Sequence, residues 1–157
     1  MTNHVLCGVA IGQALAGRPG TAFVAGGLSH LVLDAVPHWG CAIEESGGPE
    51  KFVKVARRDG VLGLGAMAFA AVTVERRTRT ATVAAMFGAV LLDLDKPMMH
   101  FFGRDPFPRA VNRLHHWVQN ESPDGLNKEI AYGAMLVAAD VASGALRYGR
   151  CGRHYAG

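Results

Sequence analysis

The sequence predicts an all-α protein, a compact up-down bundle of about five helices that is embedded in a membrane. Half of its 157 residues are apolar and only 18% are charged, whereas an average soluble domain has about 25% charged residues. Apolar stretches alternate along the chain with short segments that contain Gly, Pro and Arg. The stretches are rich in Ala, Leu and Met and show no two-residue alternation, which favours helices over strands.

Five apolar stretches mark the predicted helices, and each is followed by residues that are typical of helix ends. They cover residues 5–16, 21–36, 60–74, about 80–94 and 130–146. Gly or Pro follows the first, second and fourth stretches, and Arg follows the third and fifth. We therefore assign residues 1–146 to a helical membrane domain and residues 147–157 to a basic C-terminal tail.

The small residues and the low charge favour a membrane bundle over a soluble one. The chain has 20 Gly, and small residues allow helices to approach closely in lipid. Each stretch is shorter than the roughly 20 residues that a span needs, so a soluble bundle stays open as an alternative. The segment 80–102 reaches that length if Asp93 and Asp95 face the bundle interior.

The loops indicate an orientation in the membrane. In an up-down bundle, the loops after the first and third helices lie at the same end as the C-terminal tail. These segments contain seven Arg residues: Arg18, Arg76, Arg77, Arg79, Arg147, Arg150 and Arg153. The positive-inside rule places this end in the cytoplasm and the opposite end outside it, although Lys and Arg are nearly balanced between the two ends in total.

The main motif for a functional site lies at the end of the second stretch, where His30-Leu-Val-Leu-Asp34 is followed by Ala-Val-Pro37-His38. His30 and Asp34 are four residues apart and therefore share one helix face. His38 follows one turn later, after a Pro that ends or bends the helix. Imidazole and carboxylate groups at this spacing are suited to a divalent ion. A purely structural His-Asp hydrogen bond is the alternative, but ionisable groups in an apolar segment are usually functional.

A second motif, Asp93-Leu-Asp95-Lys96-Pro97-Met-Met-His100, follows the fourth stretch. Asp93 and His100 are two turns apart and share a face if the helix continues through this segment. Asp95 points elsewhere, and is either a further metal ligand or a helix-end acid paired with Lys96. Asp93 follows the apolar run directly and is the stronger candidate ligand.

A third motif runs from Asn112-Arg113 through His115-His116-Trp117 to Glu121. Adjacent residues point in different directions on a helix, so at most one of the two His is a metal ligand. We interpret His115 and His116 as an acid or a phosphate partner, with ordinary loop histidines as the alternative. Arg113 is suited to hold an anionic headgroup.

An alternating bundle brings these motifs together, because its first and third helices start at the end where its second and fourth helices finish. The predicted metal ligands are His4, His30, Asp34, His38, Asp93, Asp95 and His100. The predicted catalytic residues are Asp59, His115, His116 and Glu121, with Asp59 or Glu121 as general base. Asp140 lies in the middle of the fifth helix, where we expect it to pair with another polar group of the bundle.

Two of these elements, Ser29-His30-x-x-x-Asp34 and Asp93-Leu-Asp95, resemble a family of small bacterial integral-membrane proteins described as metal-dependent hydrolase-like. The resemblance covers about residues 1–120. The chain departs from the family pattern at Leu92, where a Pro is common. The resemblance implies an integral protein of a bacterial plasma membrane with a His/Asp metal site.

Three functions are consistent with the residues. The first is a metal-dependent hydrolase that acts on a lipid or phosphoester at the membrane face, with zinc as the expected ion and magnesium, manganese or iron as alternatives. The second is a magnesium-dependent enzyme that processes diphosphate or prenyl substrates through Asp34, Asp93 and Asp95. The third is a non-enzymatic membrane subunit that carries a metal or haem.

Other classes lack their sequence signatures. The net charge of +3 is not arranged as a basic stripe with interleaved aromatic residues, and no nucleic-acid-binding motif is present. The chain also lacks a phosphate-binding Gly-x-x-x-x-Gly-Lys loop and a Gly-x-Ser-x-Gly nucleophile motif. Cys7, Cys41 and Cys151 have no close spacing, which argues against a disulfide framework or zinc knuckle. Cys41 follows the His38 motif by three residues and is the only thiol near it in sequence.

Overall fold

Seven α-helices and two very short strands form the described part of the chain, which comprises residues 1–39, 49–122 and 125–153. In this computed structural model the helices are α1 (Thr2–Ala14), α2 (Pro19–Ala35), α3 (Pro49–Thr73), α4 (Arg76–Val90), α5 (Asp95–Phe102), α6 (Arg109–Val118) and α7 (Leu126–Arg153). Strands β1 (His38–Trp39) and β2 (Glu121–Ser122) pair in parallel. The predicted compact all-α class is confirmed, and helices α1 to α4 and α7 correspond to the five apolar stretches.

The ends of α2 follow from its prolines. Pro19 occupies the first turn, where its missing amide hydrogen removes no helical hydrogen bond. Val36 is extended, with ψ 136°, because the residue before a proline avoids the α region. The helix therefore ends at Ala35, and the chain carries His38 directly into β1.

The helix boundaries differ from the prediction in three places. Helix α3 starts at Pro49, well before the apolar stretch, so Asp59 lies inside a helix and not at its start. Helix α4 ends at Val90, and a 3₁₀ turn over Leu92–Leu94 separates it from α5. Helix α7 continues to Arg153, into the segment assigned to the tail. Apolar periodicity locates buried helix faces, and it is weak where Lys and Arg are interleaved, as in the first turns of α3.

Helix α4 is the centre of the bundle, because α1 and α2 both pack closely along it. Glycines permit this approach. A Cβ at Gly8 of α1 would lie 2.8 Å from the Cα of Met86, and a Cβ at Gly26 of α2 would overlap the carbonyl oxygen of Ala85. The main apolar cluster lies between α1, α3 and α4 and consists of Val5, Val9, Met67, Ala70, Met86 and Val90.

Polar contacts attach α7 to α1. The side-chain amide of Gln13 donates to Asp140 Oδ2 at 3.0 Å, which confirms that Asp140 pairs with a polar group of the bundle. The side-chain amide of Asn3 donates to the carbonyl oxygen of Glu129 at 2.9 Å.

Large apolar side chains are exposed on several helices, including α2, α3 and α7. On α2, α3 and α7 they are Phe23, Val24, Leu28, Val32, Val61, Leu62, Leu64, Phe69, Val72, Leu126, Ile130, Met135, Val137 and Val141. Within the described ranges, no helix combines the length and the apolar character that crossing a bilayer requires. The predicted membrane embedding thus has no support from a spanning helix in these ranges.

The close approach of α2 and α4 predicts a large effect for the substitution Gly26→Ala. The new methyl group would overlap the Ala85 carbonyl, and overpacking of this kind costs about 1–3 kcal/mol. Gly65→Ala is the matched control, because no atom lies within 4 Å of a Cβ at this exposed helical position, and Ala there should stabilise by about 0.5–1 kcal/mol. Thermal unfolding followed by circular dichroism measures both, and equal melting temperatures for the two variants would contradict the packing.

Candidate metal centre

Side chains from five elements meet around the carboxylate of Asp34, near the C-terminal end of α2. Asp34 is 2% exposed. Its neighbours are His4 of α1, His30 of α2, His38 of β1 and His115 of α6, and Asp95 of α5 lies behind His115. His4, His30 and His115 are also buried, and His38 is partly buried.

Each oxygen of Asp34 faces a different pair of imidazoles. Oδ2 lies 3.2 Å from His30 Nε2 and 3.0 Å from His115 Nε2. Oδ1 lies 3.3 Å from His4 Nε2 and 3.9 Å from His38 Nε2. Four imidazole nitrogens are therefore directed at one carboxylate.

Backbone carbonyls fix the tautomer of two of these rings. His30 Nδ1 is 2.7 Å from the carbonyl oxygen of Ala89, and His38 Nδ1 is 3.0 Å from that of Val36. A carbonyl oxygen only accepts, so Nδ1 carries the hydrogen in both rings and donates it. In the neutral rings, Nε2 then presents its lone pair toward Asp34, which is the arrangement that metal-binding histidines adopt.

Three of these atoms form a compact triangle. His30 Nε2 and His115 Nε2 are 3.0 Å apart, and both lie near Asp34 Oδ2. Ligand atoms of a tetrahedral zinc ion, at bond lengths of about 2.0–2.1 Å, are about 3.3 Å from one another. The separations in the triangle thus fit a shared divalent ion. A second group of possible ligands consists of His4, His30 and Asp93, with ligand atoms within 4.8 Å of one another.

His115 lies between two carboxylates of the cluster. Its Nδ1 lies 3.3 Å from Asp95 Oδ2, on the side away from Asp34. Burial lowers the pKa of His115, but hydrogen bonds with Asp34 and Asp95 outweigh burial and raise the pKa to about 9. At neutral pH, and without a metal, an imidazolium therefore lies between two carboxylates.

Two further predicted carboxylates, Asp93 and Asp59, face cations. Burial raises the pKa of Asp93, but the Met1 amino group and Lys96, at 3.9 Å and 3.7 Å, outweigh burial and hold the pKa well below its ordinary value. Asp59 accepts from the Met1 amino group at 2.8 Å and from the Thr2 hydroxyl at 2.9 Å. Asp59, one of the two predicted candidates for the general base, is thus held by the start of α1 and has no described contact with the four histidines.

Several predicted site residues lie away from the cluster. His100 is exposed on α5 and packs edge-on against Phe101, because the 3₁₀ turn ends the helix that would have aligned His100 with Asp93. His116 and Arg113 are exposed on α6. Glu121 lies in β2, and its side chain is outside the described part of the chain, as is Cys41.

The structure also adds groups that the sequence analysis did not select. Gln119 Nε2 lies 3.2 Å from His115 Nε2, and the spacing of four residues on α6 would have indicated this contact. The Ala89 carbonyl that orients His30 has no sequence signal, because any residue supplies a carbonyl.

No family model, curated protein or solved structure matches the chain. The resemblance drawn from the His30 and Asp93 motifs therefore stays a prediction.

The raised pKa of His115 predicts how metal binding depends on pH. An ion competes with the proton on His115, so the apparent affinity for Zn²⁺ should rise with pH until about 9. Each pH unit below that point should weaken binding by up to about tenfold. Competition with a chromophoric chelator across neutral pH measures the slope. His115→Gln should flatten it, whereas His116→Gln, one residue away on the exposed side of α6, should not; a flat profile in the unaltered protein would contradict this assignment.

Proposed function

We propose that the protein is a metal-dependent hydrolase whose ion is held by His30, Asp34 and His115. The observation that carries the proposal is the triangle formed by two imidazole nitrogens and one carboxylate oxygen, buried together and spaced as ligands of one ion. Imidazole-rich sites favour zinc over magnesium, so zinc is the expected ion, with manganese and iron as alternatives.

Hydrolysis at this site would depend on the ion and on the groups that orient its two histidine ligands. A divalent ion here would activate water as a nucleophile and stabilise negative charge that develops on the substrate. The Ala89 carbonyl keeps the lone pair of His30 directed at the site, and Asp95 holds the far side of His115. These contacts limit rotation of the two rings.

Exposed residues of α6 are suited to the substrate. His116 stacks beside His115 with ring centroids 6.0 Å apart, and it is open to solvent. Arg113 is also exposed, one turn earlier on the helix. These positions support His116 as a proton donor to the leaving group and Arg113 as a contact for an anionic phosphoester.

The magnesium-dependent diphosphate alternative has less support. It requires Asp34, Asp93 and Asp95 to converge as oxygen ligands. Asp95 instead contacts His115, and Asp93 faces Lys96 and the Met1 amino group. The donors that surround Asp34 are mainly nitrogen atoms, which favours the zinc-type hydrolase.

We also propose that the protein is seated in a bacterial membrane through its exposed apolar side chains. Val32 of α2, Phe69 of α3 and Val141 of α7 are 65%, 69% and 68% exposed. Large exposed apolar surfaces mark contact sites for proteins or lipids. A lipid phosphoester would then reach the site from the surrounding bilayer.

Elemental analysis of the purified full chain tests the metal site. We expect at least one zinc ion per chain in the unaltered protein and in His100→Ala, whose side chain is outside the cluster. Asp34→Asn should lose the metal, because an amide that replaces the carboxylate removes the charge that attracts the ion. Hydrolysis of a chromogenic phosphoester should be lost with it.

The outcomes separate the proposed functions. A protein that remains metal-free after incubation with zinc would overturn the hydrolase proposal. Bound metal without hydrolysis of any phosphoester or carboxylic ester would instead favour the metal-carrying subunit.

Vesicle flotation tests the proposed membrane contact. We expect the unaltered protein to float with phospholipid vesicles, and the double variant Phe69→Lys/Val141→Lys to float at least tenfold less. A lysine in the hydrocarbon region costs about 2.5–3.5 kcal/mol. Asn127→Lys adds a lysine at an exposed polar position of α7 and should float normally. Equal flotation of all three proteins would contradict lipid contact through these residues.

A further inference from the structure

The environment of Asp34 is divided into two halves. His30 and His115 contact Oδ2, whereas His4 and His38 face Oδ1. A carboxylate with nitrogen donors grouped separately on each oxygen is the arrangement that a bridging ligand adopts between two ions.

The stacking of His4 and His30 also supports two separate ion positions. Their rings are 4.3 Å apart with an interplanar angle of 25°. The lone pair of an imidazole lies in the plane of its ring, so two nearly parallel rings direct their Nε2 lone pairs side by side and not at one point. His4 reaches Oδ1 and His30 reaches Oδ2 in agreement with this. Paired ions in hydrolytic sites are about 3.5–4 Å apart, which is close to the ring spacing.

Asp93 supplies a second carboxylate on the His4 side. One carboxylate oxygen of Asp93 and one ring nitrogen each of His4 and His30 all lie within 4.8 Å of one another. The triangle of His30, Asp34 and His115 contains no atom of Asp93 or His4. The two groups of possible ligands therefore share only His30, which lies between them.

We propose that the centre holds two divalent ions bridged by the carboxylate of Asp34. Oδ2, His30 and His115 hold the first ion; Oδ1, His4 and His38 hold the second, with Asp93 beside it. This inference rests on the proposed hydrolase function and, among its substrate classes, favours phosphoesters. Two adjacent ions stabilise both the attacking and the leaving oxygen of an in-line phosphoryl displacement.

Manganese is the probe for the test, because it accepts both imidazole and carboxylate ligands and is paramagnetic. The full chain is loaded with Mn²⁺, freed of excess ion by gel filtration, and examined by metal analysis and electron paramagnetic resonance. We expect two Mn²⁺ per chain and a spin-coupled spectrum in place of the signal of isolated Mn²⁺. This readout requires no substitution and no substrate.

Variants assign the ions to the two halves. His115→Gln and His4→Gln should each retain one ion with an uncoupled spectrum, and Asp34→Asn, which alters a ligand of both ions, should lose both. His116→Gln is the control and should keep two coupled ions. Circular dichroism verifies that each variant is folded. If a variant is not folded, the ion count and the paramagnetic resonance spectrum of the unaltered protein test the two-ion centre without it.

Each outcome bears on a different proposal. One Mn²⁺ per chain, or two that are magnetically independent, would overturn the bridge while the single-ion hydrolase remained. No bound Mn²⁺ and no bound zinc would overturn both.

Discussion

The buried carboxylate of Asp34 is the group on which the rest of the site depends. Asp34 is 2% exposed. Burying a charged carboxylate costs several kcal/mol of free energy unless nearby groups compensate its charge. Without a metal, the compensating charge comes from the imidazolium of His115 on α6, whose Nε2 lies 3.0 Å from Asp34 Oδ2. The backbone strengthens the same junction, since Asn120 N–H donates to the Asp34 carbonyl and His38 N–H donates to the Asn120 carbonyl. The carboxylate of Asp34 thus joins the end of α2 to α6, and its backbone carbonyl joins α2 to the segment that follows α6.

The packing of three helices sets the geometry of that junction. Glycines on α1 and α2 lie against the backbone of α4, so the helices approach more closely than side chains with a Cβ would permit. This closeness places the rings of His4 and His30 at stacking distance and puts the Ala89 carbonyl of α4 within reach of His30 Nδ1. Ring orientation, and with it the direction of the metal-binding lone pairs, is therefore a consequence of helix packing.

The sequence identified most of the candidate ligands, but it assigned some of them a role other than the one that their position in the structure favours. The spacing of His30 and Asp34 placed them on one face of a helix, and the alternation of helices placed His4 and Asp93 at the same end. His115 was predicted as an acid or phosphate partner, yet it lies within the ligand triangle between Asp34 and Asp95. His100 was predicted as a ligand, but a 3₁₀ turn that no Pro or Gly directly precedes interrupts the helix before it.

The sequence by itself determined the helical class, the five main helices and the His30/Asp34 pair, because these depend on periodicity and spacing within one element. Tertiary structure decided which of two adjacent histidines faces inward, that Asp59 pairs with the chain's first residue, and that α5 and α6 are separate helices. It also decided the division of four imidazoles between the two oxygens of Asp34. Such features depend on how distant elements approach one another, and no local pattern encodes that distance or direction.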